Sequence, residues 1–188
     1  MRPFTYFRSR QSLKDAASGI VGGSPGAAEY VLTRIVDHLR ERDEPVPQAS
    51  AVIESQWLLL GLAYNLVHRA ISNTLEPPRQ QQFMDEYEKW LEVLVTEMIN
   101  EGTPNRATLV GELSSFIRSV HLDLADYPMP SSGQRPAGTL FWEVGKLISL
   151  KLGAGLDPSL ILFVSTQATA MAELLTSTVR EQVPHIRW

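Results

Sequence analysis

Cysteine is absent from the 188 residues. That excludes disulfides, thiolate zinc sites, iron–sulfur clusters and cysteine nucleophiles. Long apolar runs are absent too. The longest uncharged stretches, 55–67 and 158–172, fall short of the roughly 20 apolar residues a membrane-spanning helix needs. Both read as buried core helices, and no membrane span is expected. Met1 is followed by Arg2-Pro3, and no apolar run of the kind a secretory signal carries comes next. The expectation is a soluble, cytoplasmic chain. No segment sustains period-two alternation rich in Val, Ile and Thr, so no sheet is expected. Phe4-Thr5-Tyr6-Phe7 is the one fragment with strand-like content, and it is too short to count.

The composition places the chain among globular proteins. Hydrophobic residues make up 44%, and charged residues 20%. A chain of this length buries enough surface on folding to do without a disulfide or metal staple. The net charge is −4, which argues against whole-surface affinity for nucleic acid. That charge is unevenly placed. Arg2, Arg8, Arg10 and Lys14 stand in the first 14 residues with no acid among them. All 21 acidic residues, and only 13 of the 17 basic ones, follow. The chain opens as a basic arm on an acidic body.

Helical spacing runs through nearly all of the rest. Phe83, Tyr87, Trp90, Leu91, Leu94, Val95, Met98 and Ile99 recur at steps of three and four, with acids between them. This predicts an amphipathic helix over 83–99, started by Pro77-Pro78 and ended by Gly102. A second helix is expected from Thr103-Pro104 to Pro128, with Thr103 as N-cap. A third is expected from Ser24-Pro25 to the Pro45-Val46-Pro47 run, with Ser24 as N-cap. Residues 50–74 are apolar nearly all round in their first half, the mark of a central helix. Two more helices are expected over 139–152 and from Asp157-Pro158 to Val183. The best loop is 128–138, either a mobile flap or a plain connector. The fold class is therefore all-α: a single-domain bundle of six or seven mostly antiparallel helices over 24–188, preceded by a basic and aromatic arm over 1–23.

Chemistry is sparse. Gly22-Gly23-Ser24-Pro25-Gly26 matches G-x-S-x-G formally, but the residue after the serine must donate a backbone N–H to an oxyanion, and Pro25 has none. None of His38, His68, His121 and His185 sits in a zincin or di-iron pattern. Acid pairs at helical spacing, Glu41/Glu44, Asp85/Glu88 and Asp123/Asp126, put two carboxylates on one helix face where a divalent metal bridges them. Most such runs are solvated faces. No catalytic residue, metal ligand or cofactor is assigned, and a non-enzyme is favoured.

Two features suggest contacts instead. Phe4, Tyr6 and Phe7 interleave with Arg8 and Arg10, a mixture suited to an acidic protein surface. One candidate surface is the chain's own 85–101 segment, with six acids against Lys89. In the 50–74 helix, Glu54, Trp57, Gly61, Asn65, His68 and Ser72 share a stripe. Trp57 is an interface anchor or a core residue, and Gly61 permits close backbone approach. Tyr64, Asn65 and His68 on the same helix offer a polar groove for a small ligand.

The leading expectation is a non-enzymatic protein-interaction module, a subunit or adaptor that binds a protein partner or its own copy through Phe4, Tyr6, Phe7, Arg8, Arg10, Trp57 and Gly61. A small-molecule-binding helical sensor is the alternative. A metal-dependent hydrolase using Asp123 and Asp126 is the second alternative.

Overall fold

The computed structural model describes residues 11–131, 133 and 135–188. Six α-helices fill the described chain: α1 Leu13–Glu41, α2 Ala49–Ser72, α3 Pro77–Met98, α4 Arg106–Leu124, α5 Leu140–Lys151 and α6 Pro158–Gln182. The all-α expectation is met. The extended structure among the described residues is one parallel two-residue bridge, β1 Gln11–Ser12 against β2 Ile186–Arg187. It ties the start of α1 to the tail that leaves α6. Gln11 adds a side-chain bond to the Gln182 carbonyl at 2.9 Å.

α1 departs most from its sequence pattern. It starts at Leu13, eleven residues ahead of Ser24, and runs straight through Pro25. Ser12 is the N-cap, in a reciprocal capping box with Asp15. Such a box satisfies donors that the first turn leaves free. The serine bond also holds the Asp15 carboxyl below its ordinary range. Ser24 is a buried interior residue, its hydroxyl bonded back to the Ile20 carbonyl at 3.2 Å. α4 begins at Arg106, behind a left-handed Asn105, so Thr103-Pro104 lies before the helix rather than capping it. α3 and α4 end at Met98 and Leu124, each four residues ahead of Gly102 and Pro128, and the ends of α2, α5 and α6 fall within two residues of their expected places. Asp157 caps α6 through the Ser159 amide at 3.0 Å, with Pro158 in the first turn.

α2 is central, packed on each of the other five helices. Its buried residues include Leu58 through Val67 without interruption. Leu59, Leu62, Phe83, Tyr87, Ile117, Ile148 and Val164 join one continuous core. Two glycines set the closest crossings. A Cβ on Gly61 would stand 2.5 Å from Val120 Cβ, so α2 and α4 touch backbone to side chain there. A Cβ on Gly145 would stand 2.7 Å from the Ile161 carbonyl, which brings α5 onto α6. Glycine is what permits such approach.

α6 forms an antiparallel pair with α1: Gly19 lies beside Gln182 at one end, and Arg42 bonds Asp157 at the other. It differs from the expected core helix. Pro158–His185 is long and apolar enough by composition to cross a membrane, yet only 39% of its most apolar window is buried inside the chain.

Candidate functional site

The densest gathering of polar chemistry lies where α2, α3 and α4 meet. It is built from Tyr64, Asn65, His68 and Arg69 on α2, Glu88 on α3, and Arg118 and His121 on α4. Helical spacing explains the local placement. Positions 64, 65, 68 and 69 are three- and four-residue neighbours on one side of α2, and 118 and 121 are such neighbours on α4. The Gly61 crossing brings α4 close enough for its side chains to reach α2.

Two networks share the site. In the first, the buried Tyr64 hydroxyl donates to Glu88 Oε1 at 2.6 Å. Glu88 Oε2 accepts from Arg118 at 3.3 Å, and Arg118 also reaches Glu92. Burial and the adjacent carboxylate push the Tyr64 phenol up, so it is held as a donor. Tyr87 packs edge-on against it and meets Ser24 of α1 at 3.5 Å. Burial pushes Tyr87 up as well.

In the second, Asn65 is fully buried and fully used. Its Oδ1 accepts from Arg69 Nε at 2.8 Å. Its Nδ2 faces both the Nδ1 and the backbone carbonyl of His121, each at 3.2 Å. An amide nitrogen only donates, so His121 Nδ1 accepts and the ring proton sits on Nε2. Arg69 Nη2 then reaches the Leu124, Ala125 and Tyr127 carbonyls at 2.8–3.1 Å. One of these, Leu124, is in the last turn of α4, where carbonyls lack a partner within the helix. The His121 ring sits 4.8 Å from His68 and 4.9 Å from Tyr64. Burial, then His68 and Arg69, hold His121 down to about 4. Burial and Arg69 lower His68 in the same direction.

This arrangement is poor metal chemistry. A histidine that binds metal through Nε2 usually donates from Nδ1 to an acceptor behind it. Here Nδ1 faces a donor, and two guanidiniums stand nearby. Among the described residues, no three metal-capable side chains group together. Asp123 and Asp126 are exposed at the end of α4 and are not brought into such a group.

Sequence reasoning placed Tyr64, Asn65 and His68 on one helix, and the structure brings all three into the site. They do not line an open groove: Tyr64 and Asn65 are buried, and their polar atoms are committed to protein partners. Arg69 and Arg118 were missed, and Glu88 and His121 were weighed only for metal chemistry and not joined to this helix. The signal available was a cation and a histidine three residues apart on α4, with no partner named for either. Trp57 is half-buried and packs against the core. Gly61 is buried, so the close approach it permits is made inside the chain, to Val120 and Ile117. Phe4, Tyr6, Phe7, Arg8 and Arg10 lie outside the described residues.

Open surface lies elsewhere. A groove of about 280 Å³ between α1 and α6 is lined by Gly23, Gly26, Ala27, Tyr30, Ala170 and Leu174, among others. A wider cleft of about 570 Å³ runs between α6 and the segment at Met129-Pro130, over Phe141. Comparison of the chain with protein-family models, with curated proteins and with solved structures finds no match.

Proposed function

We propose that this chain is a helical protein-interaction module whose contact face is formed by α1 and α6. The observation that carries the reading is the uncovered apolar ridge on α6 and its trough on α1. Leu162 and Leu174 are 52% and 54% exposed, and Tyr30 across the groove is 60% exposed. Leu162, Thr166, Ala170 and Leu174 follow one another at four-residue steps, a ridge that winds about 40° round the helix at each step. Exposed apolar side chains grouped beside a groove on a folded chain are a feature of contact sites.

The α1 side supports the same reading. Gly22, Gly23 and Gly26 are exposed, and an added Cβ at any of them meets nothing within 4 Å. Each costs about 0.5–1 kcal/mol against alanine inside a helix. Packing among the described residues gives no return for that cost, whereas a helix from another chain laid across the trough does. The partner is a second copy or another helical protein with a matching apolar ridge.

The test is solution mass by light scattering and sedimentation, across protein and salt concentration. Association should persist in high salt, because the face is apolar, and should be lost in Leu174→Glu and Tyr30→Glu. A salt-indifferent species of 21.0 kDa at every concentration, unchanged by either substitution, removes self-association. A complex that dissolves in salt shifts the contact to the basic arm.

A second reading follows from the α6 cleft. Its volume of about 570 Å³, with Phe141, Met129 and Ala172 beside Glu173 and Arg180, fits the range of small-molecule sites. A ligand that raises the melting temperature, and loses that effect in Ala172→Trp, would favour a sensor over an adaptor.

A further inference from the structure

The α2–α4 seam contains a contact that survives only while one imidazole is neutral. Asn65 cannot offer its oxygen to His121, because Oδ1 is held by Arg69 Nε at 2.8 Å. It therefore presents Nδ2, and His121 Nδ1 must accept. A proton added to that nitrogen sets N–H against N–H at 3.2 Å. Turning the amide over relieves the clash only by setting its NH₂ group against Arg69 Nε. Arg69 is the strap across the Leu124, Ala125 and Tyr127 carbonyls, so the disturbance reaches the end of α4.

The charges around the ring give no refuge. From α2 it faces Tyr64, which is held protonated, and also His68 and Arg69. From α4 comes Arg118, one turn earlier. From α3 the facing group is Glu88, already engaged by the Tyr64 hydroxyl and the Arg118 guanidinium. One shared carboxylate stands against two guanidiniums and a second imidazole.

We propose that this seam is an acid-sensitive latch: protonation of His121 breaks the Asn65 contact, slackens the Arg69 strap and frees the last turn of α4 with the chain through Tyr127. The sign follows from linkage. His121 is held below its unfolded value of about 6.5, so the open form binds more protons than the closed one. The latch is fully shut above about pH 6.5, weakens as pH falls toward 4, and changes little beyond. Each pH unit in that window raises the open-to-closed ratio up to tenfold. The ring is partly exposed and partly screened, so a total change of about tenfold to a hundredfold is expected. This device is independent of the α1–α6 contact face and stands or falls separately.

The test uses the full chain. Nitrogen NMR of the imidazoles reads the tautomer at neutral pH, and amide exchange, corrected for intrinsic pH effects, reads opening residue by residue. Expected are a His121 ring carrying its proton on Nε2, and protection over 120–127 that falls at least tenfold more than protection over 144–150 between pH 7 and 4.5. His121→Gln, uncharged at every pH, should flatten the difference. A ring protonated on Nδ1 at neutral pH would overturn the proposal, and so would a His121 that titrates with no local change. Equal loss of protection in α4, α5 and α6 would also overturn it, by making the event global unfolding. If His121→Gln does not fold, the ring tautomer and local exchange of the natural chain still decide.

Discussion

Gly61→Ala is the sharpest test of how α2 and α4 are joined. The added Cβ would stand 2.5 Å from both Val120 Cβ and Cγ1, and 3.2 Å from the Ile117 carbonyl. Carbon atoms in good contact sit about 3.5–4.0 Å apart. One helix must therefore retreat by about 1 Å or more. Rotating Val120 gives no escape, because Cβ itself is in the clash and a β-branched side chain on a helix has essentially one rotamer. Overpacking of this kind costs about 1–3 kcal/mol. Replacing glycine inside a helix returns about 1 kcal/mol of propensity. The retreat also stretches the Asn65–His121 contact one turn away, so the loss should win by about 1–2 kcal/mol. In a domain of this size that lowers Tm by roughly 2–8 °C. The assay is reversible urea and thermal unfolding of Gly61→Ala, Val120→Ala and the double variant. Val120→Ala removes one of the two clashing atoms, so the pair should be less destabilised than the sum of the singles, with coupling near 1 kcal/mol. A Gly61→Ala chain that melts higher than the natural one, or zero coupling with Val120, would refute the reasoning.

Three further outcomes follow from the same geometry. Gly145→Ala drives a Cβ to 2.7 Å from the Ile161 carbonyl, a backbone atom that cannot turn aside, and after the propensity gain of about 1 kcal/mol should still cost up to about 2 kcal/mol by urea unfolding. Gly111→Ala, by contrast, meets nothing within 4 Å and should stabilise by about 0.5–1 kcal/mol on the same measurement. Asp157→Ala removes the cap of α6 and the partner of Arg42 at 2.6 Å, and should cost about 1 kcal/mol. Because both bonds favour the ionised carboxylate, that difference should shrink as pH falls through the lowered range of Asp157.

Helix existence was legible in this chain, and the beginnings of α1 and α4 were not. The pattern at 83–99 and the Asp157-Pro158 start survive unchanged because propensity, capping and burial agree there. α1 was misread because proline is a strong stop signal, and Ser24-Pro25 looks like a start. The helix tolerates Pro25 because Ala16, Ala17, Ile20, Val21, Ala27, Ala28 and Val31 are all buried on one face before and after it. Tertiary burial outweighs one missing backbone bond. Ser12 and Asp15 carried the true start, a capping box visible in the sequence but displaced by the louder proline. The apolar content of α6 misled differently. Uncharged length reads as core, yet Leu162 and Leu174 face outward.

The candidate site shows why half of a polar cluster is readable and half is not. Residues 64, 65 and 68 share a helix face, so periodicity alone gathers them. Glu88 and His121 arrive from helices whose order around α2 no local pattern encodes. What brings α4 and its His121 close is Gly61, which sequence reading assigned to a contact with another chain. Its cost in helix propensity is offset by the α4 approach, and that approach places His121 within 3.2 Å of Asn65. Asn65 is the residue that makes the arrangement specific. It is buried, and its oxygen is held by Arg69 of its own helix, so its nitrogen must face α4, and a slip of α4 by one turn would take both His121 acceptors away from that nitrogen. An unpaired buried amide costs about 1–3 kcal/mol per lost group, comparable to the packing at the glycine crossing. The two devices therefore fix the same register by different means: the glycine sets how close α4 comes, and the asparagine sets which turn of α4 it meets.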